Sequence, residues 1–335
     1  MHRRQFLTAS GVLLAATACK TPALTQTSKQ AAIHPAPPEP GASIALICPG
    51  GPITPERLQK SVALVESFGF KVQPGKNILA RNGYLAGTDE ERLTDLHAAF
   101  SNPDIQAVWA IRGGYGCTRL LPLIDYDLIR ANPKLLIGYS DITALLNAFY
   151  QQAGLIGIHG PVASSSVEEI DRTGLAQVLG IKERDGSRTK VLTTPTLLSK
   201  GEGTVNGVLV GGNLTLLASM TGTPYTVNCK DKIVLLEDVG EKPYRIDRML
   251  TQLRQGANLD KAKGILLGEF VDCEADIDDN SLGLVETLSD RLYDLGVPIL
   301  AGFPAGHGDR NYPVPIGGRV EMNVDEGSLS WSSFF

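Results

Sequence analysis

The sequence predicts an α/β protein: a doubly wound, mostly parallel sheet in an N-terminal domain, followed by a smaller α/β domain with mixed strands. Three observations carry this. From Ala42 onward, apolar runs of strand length alternate with segments of helical period, the pattern of parallel strands joined by crossover helices. Several of those runs stop at glycine-rich turns, Pro49-Gly-Gly-Pro52 and Arg112-Gly-Gly-Tyr-Gly116 among them. The length of 335 residues fits two domains of about 100–200 residues each.

Ser43–Cys48 reads as the first strand and Pro49–Pro52 as a turn. A helix then opens with Thr54 as N-cap and Pro55 at its first position, and continues toward Phe68. Lys71-Val-Gln73 is a second strand, and Thr88–Phe100 a capped amphipathic helix. Ile105–Ile111 is a strand ending at Arg112, and the run through Ile137 is another, ending at Gly138. A helix from Asp141 and a strand Ile156–His159 complete an N-terminal domain over residues 43–165. Residues 166–202 are more polar and read as a linker or hinge. The second domain, 203–335, is expected to hold strands at Thr204–Val210, Lys232–Leu236, Gly264–Leu267, Pro298–Ala301 and Arg319–Val324, with helices near 213–220, 243–255 and 281–294.

The amino terminus follows different rules. Residues 1–19 start with Arg3-Arg4, continue as a short apolar run and end in small residues before Cys19. That is the layout of an export signal, and its core is shorter than the ~20 apolar residues a membrane span needs. Arg3-Arg4 with Phe6-Leu7 resembles a twin-arginine signal. Ala16-Thr-Ala-Cys19 resembles a lipobox, with Ala16 where leucine is commoner, so Cys19 is the expected lipidation site. Residues 20–42, with the cluster His34-Pro-Ala-Pro-Pro-Glu-Pro40, read as a flexible tether. Together these predict a periplasmic protein held to a membrane only through an N-terminal lipid.

Composition narrows the functions. A formal net charge of −5 argues against a nucleic-acid binder, which should present a basic face. Beyond Cys19 there are Cys48, Cys117, Cys229 and Cys273; an oxidising compartment permits bridges among them, and spacing cannot choose a pairing. No CxxC pair, HExxH helix or GxxxxGK[ST] loop occurs, so neither a metal nor a phosphate-binding cofactor is expected.

Three strand-end segments carry polar residues suited to chemistry. Ser140 sits in Gly138-Tyr-Ser-Asp141, where a strand gives way to a helix. Open α/β sheets place their ligands at such ends, and a helix start aims backbone N–H groups there. Serine is equally a common N-cap. Glu237 ends the run Ile233–Leu236, with Asp238 and Glu241 equivalent on local grounds. Of the five histidines, only His159 and His307 follow apolar runs beside glycines. A serine, a histidine and a carboxylate are the parts of an activated hydroxyl nucleophile.

Five segments together resemble the LD-carboxypeptidase family: Ile111-Arg-Gly-Gly-Tyr-Gly116, Ile137-Gly-Tyr-Ser-Asp-Ile-Thr143, Gly211-Gly-Asn-Leu214, Leu236-Glu-Asp238 with Tyr244-Arg-Ile-Asp-Arg248, and Gly302-Phe-Pro-Ala-Gly-His-Gly308. They follow the family's order over nearly all of 43–325. The resemblance implies a Ser140, Glu237, His307 triad formed where the two domains meet, with oxyanion donors at the N–H of Asp141 and of Gly113 or Gly114. It implies release of the terminal D-alanine from a murein tetrapeptide without cofactor or metal, and a homodimer. Arg112 and Asn213 are the expected substrate-binding side chains. Two alternatives stand beside it: a hydrolase like the microcin self-immunity proteins, and a catalytically silent periplasmic peptide-binding lipoprotein.

Overall fold

Two sheets stand where the sequence puts two domains. A computed structural model describes residues 31–166, 171–181, 188–276 and 280–332. The expected export signal, and Cys19 with it, lies outside the described residues.

The front sheet starts with β1 (Ser43–Ile47), followed by α1 (Pro55–Glu66), β2 (Lys71–Pro74) and α2 (Asp89–Ser101). Thr54 caps α1, its hydroxyl accepting from Arg57 N, and Thr88 with Glu91 forms a reciprocal capping box on α2. β3 (Ile105–Ala110) leads into two short helices, α3 (Cys117–Leu120) and α4 (Tyr126–Ala131), then β4 (Leu135–Gly138). A 3₁₀ turn at Ser140–Ile142 opens α5 (Thr143–Ala148), which continues as a π turn over Phe149–Ala153 before β5 (Gly157–His159). β1 to β5 all pair in parallel, as the alternation requires. β3 and β4 are buried along almost their whole length, which is why they read as unbroken apolar runs.

The segment expected as a linker carries α6 (Arg172–Val178) and β6 (Arg188–Leu192). β7 (Thr204–Asn213), α7 (Leu214–Met220), β8 (Lys232–Val239), α8 (Pro243–Gly256), β9 (Gly264–Val271), α9 (Leu284–Leu292) and β10 (Ile299–Ala301) follow. The chain ends through β11 (Val314–Ile316), β12 (Arg319–Asn323) and β13 (Ser328–Ser332). The rear sheet runs β10-β9-β8-β7-β12-β13-β6. It is parallel from β10 to β7 and antiparallel from β7 to β6, which gives the expected mixture.

Three differences from the sequence reading have local causes. β6 is a strand because its backbone completes the edge of β13, although its side chains are mostly exposed and carry no apolar pattern. β11 leaves the rear domain and pairs antiparallel with β5, Val314 opposite His159, so the C-terminal third of the chain finishes the front sheet. Residues 31–42, expected as tether, lie against the front domain: Ile33 N donates to Gly154 O at 2.8 Å and Ile156 N to Ile33 O at 3.0 Å. Pro35 and Pro38 are buried there, and Glu39 N donates to Gln106 Oε1 at 2.7 Å. The described residues accordingly form one compact unit.

Cys48, Cys117, Cys229 and Cys273 are all buried and unbridged. Among the described residues no helix is long and apolar enough to cross a membrane.

Candidate active site

The position expected to hold the nucleophile is set by a strained turn. β4 ends at Gly138, Tyr139 is extended, and Ser140 takes φ +62°. A non-glycine residue in that left-handed region costs about 1–3 kcal/mol and persists only when its surroundings fix it. Here they do. Asp141, wholly buried, accepts Cys117 N at 2.9 Å through Oδ2. Gly113 O accepts Gly51 N at 2.8 Å. The buried Arg92 guanidinium donates to Pro49 O and, at 3.0 Å, to Gly116 O, which ties the two glycine-rich loops together. Burial pushes the Asp141 carboxyl up, partly offset by the Cys117 contacts.

Gly113 has no room for a side chain. A Cβ there would stand 2.9 Å from Ser140 Cβ, 3.0 Å from its Oγ and 3.1 Å from Asp141 N. The backbone of the Arg112–Gly116 loop is therefore pressed against both the hydroxyl and the Asp141 amide, the arrangement an oxyanion pocket requires.

The carboxylate and the imidazole expected beside it come from elsewhere. Glu237 stands near the end of β8, opposite Asn213 of β7, and is 0% exposed. His307 follows β10 on a loop held by Glu269 N to Ala305 O at 3.1 Å. Its Nδ1 lies 2.8 Å from Glu237 Oε2. That contact leaves Nε2 as the ring nitrogen available to a hydroxyl. Burial pushes the Glu237 carboxyl up, but the His159 and His307 imidazoles outweigh it and hold the group below its ordinary range. Burial pulls His307 down, and the bond to Glu237 outweighs that, leaving the imidazole above its ordinary value.

Ser140 and His307 line one cleft of about 370 Å³, together with Gly113, Gly114, Arg57 and Arg112. No direct hydrogen bond joins the serine to the imidazole among the described residues; such contacts commonly tighten only when substrate is bound. Arg112 reaches the cleft while one of its nitrogens donates to Pro52 O at 2.8 Å. Among the described residues no carboxylate lines the cleft.

Of the expected residues, Ser140, His307, Gly113, Gly114 and Arg112 come together around this cleft, and Glu237 buttresses it. Contacts distinguish Glu237, which the resemblance names, from Asp238 and Glu241. Asp238 accepts from Asn213 Nδ2 at 2.9 Å and from Thr215 Oγ1 at 2.8 Å, while Glu241 lies 3.5 Å from Arg245. Asn213, expected at the substrate, does not line the cleft. Its Oδ1 caps α7 by accepting Leu216 N at 3.2 Å and its amide is held by Asp238, so both ends of the side chain are engaged. Tyr139, Val162, Ser164, Ser165 and Ser166 also line the cleft without having been expected there, and Arg57 is the unexpected cation. As the third residue of a well-capped helix it reads locally as surface, and only the fold brings α1 beside the Ser140 turn. Among the described residues no group of three or more His, Cys, Asp or Glu side chains is placed to hold a metal ion.

A strained serine at a strand end, beside a buried carboxylate–imidazole pair from a second sheet, defines a serine hydrolase assembled between two α/β layers. The chain belongs to the LD-carboxypeptidase family: residues 44–160 match the model of its N-terminal domain and residues 206–322 that of its C-terminal domain. It is 39% identical over 291 residues to a probable murein peptide carboxypeptidase of Bacillus subtilis, covering 85% of this chain and 90% of that protein. It is 38% identical to a murein tetrapeptide carboxypeptidase of Pseudomonas aeruginosa, covering 82% and 91%. Among solved structures, the muramoyltetrapeptide carboxypeptidase of Oxalobacter formigenes superposes with a TM-score of 0.76 at 31% identity, over 86% of this chain and 97% of that one. The Escherichia coli microcin C7 self-immunity protein is also related, at 29% identity over 88% of this chain and 94% of that protein.

Proposed function

We propose that this chain is a serine LD-carboxypeptidase that removes the terminal D-alanine from murein tetrapeptides, with Ser140 as nucleophile, His307 as base and Glu237 as the group that orients it. The observation that carries the reading is the His307–Glu237 pair at 2.8 Å, its imidazole lining the same cleft as the strained Ser140.

The chemistry follows from the atoms. His307 Nε2 takes the Ser140 hydroxyl proton as Oγ attacks the carbonyl carbon before D-alanine. Charge builds on the carbonyl oxygen, where the Asp141 and Gly113 or Gly114 amides face it. The His307 imidazolium, stabilised by Glu237, returns that proton to the departing amine. Water then enters by the same base and releases the shortened peptide from Ser140. Arg57 and Arg112 supply positive charge for the free carboxylate that distinguishes a carboxypeptidase substrate.

Incubation with purified murein tetrapeptide, read by mass spectrometry, should yield free D-alanine and the tripeptide. A pentapeptide ending in D-alanyl-D-alanine should stay intact. Hydrolysis of a peptidyl-nucleotide conjugate with no release of D-alanine would move the enzyme to the microcin-immunity type; binding of tetrapeptide without turnover would make it a binding protein.

The signal and Cys19 support a periplasmic, lipid-anchored location for this reaction. Radiolabelled palmitate should be incorporated into the wild type and not into Cys19→Ala, which should leave the membrane fraction. A homodimer is the assembly proposed, checked by light scattering on the purified enzyme.

A further inference from the structure

Glu237 touches a second imidazole that the reaction as described does not use. His159, at the end of β5, is 0% exposed, and its Nε2 lies 3.6 Å from Glu237 Oε1. Neither ring nitrogen of His159 has a hydrogen-bond partner among the described residues, and neither has Glu237 Oε1. Buried polar atoms without partners are rare because each gives up its hydration with nothing in return. Here three of them lie at one place.

The surroundings fix the ring. His159 pairs with Gly138 of β4 on one side and Val314 of β11 on the other. The Tyr139 ring lies 6.0 Å away and nearly edge-on. Across the ring is Gly212, φ +131°, where a Cβ would stand 3.0 Å from His159 Cδ2 and 2.7 Å from Thr143 Oγ1. The front and rear sheets therefore meet at this imidazole, which turns Cδ2 to Gly212 of β7 and Nε2 to the Glu237 carboxylate of β8.

We infer that His159 is a positioning residue for the carboxypeptidase reaction: its ring directs an Nε2–H at Glu237 Oε1, so that Oε2 stays turned to His307. At 3.6 Å the contact is charge–dipole rather than a full hydrogen bond. In so buried a place the field of one fixed N–H still counts. The carboxylate is then held between two imidazoles, one on each oxygen. The groups that face this assembly are Glu237 and Asp238 of β8, Glu269 of β9, His307 of the loop after β10, and Tyr139 after β4. Of these, only Glu237 is within 4 Å of the His159 nitrogens by charge pairing.

The donor matters most when His307 is neutral, because the pair then carries an uncompensated negative charge. Removing it favours proton uptake by the pair, so the acid limb of kcat/KM should move to higher pH.

The inference rests on the proposed reaction, and its test separates the two. His159→Leu should lower kcat by about 10- to 100-fold, the scale on which partners behind a reacting group act, with KM within about twofold. Its acid limb should rise by about half a unit or more. His159→Gln, which keeps an amide N–H in the place of Nε2–H, should recover kcat to within about threefold and restore the acid limb. A leucine variant with the wild-type profile, or a glutamine variant as poor as leucine, overturns the role. Nitrogen NMR of the wild type decides the matter independently of turnover and of whether the leucine variant folds. The His159 resonance, assigned by its loss in His159→Gln, should show a proton on Nε2 and a bare Nδ1. A proton on Nδ1 alone overturns the inference. Absence of D-alanine release by the wild type sinks the functional reading instead and leaves the NMR result standing.

Discussion

Glu237→Gln is the perturbation whose effect can be worked most fully from the geometry. The substitution keeps the size of a side chain that is 0% exposed and removes only its charge. His307 loses the carboxylate at 2.8 Å that holds its imidazole above the ordinary value, and the burial that pulls it down remains. A hydrogen bond to a charged partner contributes roughly 1.5–3 kcal/mol, and one pH unit corresponds to about 1.4 kcal/mol. The His307 pKa should therefore fall, and the acid limb of kcat/KM should move to lower pH with it. The plateau should drop by roughly 10³–10⁴-fold, since an amide can no longer stabilise the imidazolium and can select the wrong tautomer. Stability carries a second signature. The Glu237 carboxyl is depressed in the fold, so its contribution is present above its unfolded pKa and is lost as pH falls through the folded value. The melting-temperature gap between wild type and variant should narrow on the acid side. The assay is D-alanine release across pH, with thermal melts at the same points. An unmoved acid limb with a plateau within about threefold of wild type would refute the reasoning.

Other expectations follow from single contacts. Gly113→Ala puts a methyl 3.0 Å from Ser140 Oγ; it should cost about 1–3 kcal/mol of stability and lower kcat by about 100-fold, the scale of one misplaced oxyanion donor, both readable from melts and steady-state kinetics. Ser140→Gly should melt higher than Ser140→Ala, by about 1 kcal/mol, because φ +62° strains alanine and not glycine. Arg57→Gln and Arg112→Gln should raise KM for the free-acid peptide and leave KM for its terminal amide nearly unchanged, as a carboxylate-binding role requires. Burial pushes the Cys48 and Cys229 thiols up to about 12 and Cys273 to about 11, so a disulfide reagent should titrate none of these three in the native enzyme and all of them after denaturation.

Much of this was legible in the chain. The parallel strands β1, β3 and β4 announced themselves because burial on both faces makes them continuous apolar runs, and α1 and α2 because their caps are written in Thr54-Pro55 and Thr88-x-x-Glu91. β6 and β11 were not legible. One is an edge strand with an exposed, uneven pattern, and the other is three residues long around Pro315, joined to a sheet whose other strands lie more than 150 residues earlier. The site divides the same way. Ser140, Glu237 and His307 each end an apolar run, so local pattern nominated them and the family motifs chose among carboxylates. Arg57 and the contact between His159 and Glu237 depend on how the sheets meet, which no local pattern encodes.

Every step proposed for this enzyme starts from Ser140 as the nucleophile. The most direct measurement compares wild type with Ser140→Ala on murein tetrapeptide, following D-alanine release and peptide binding together. Binding should stay within a few-fold of wild type and turnover should fall by about 10³-fold or more. Ser140→Ala that still releases D-alanine at close to the wild-type rate would contradict that role.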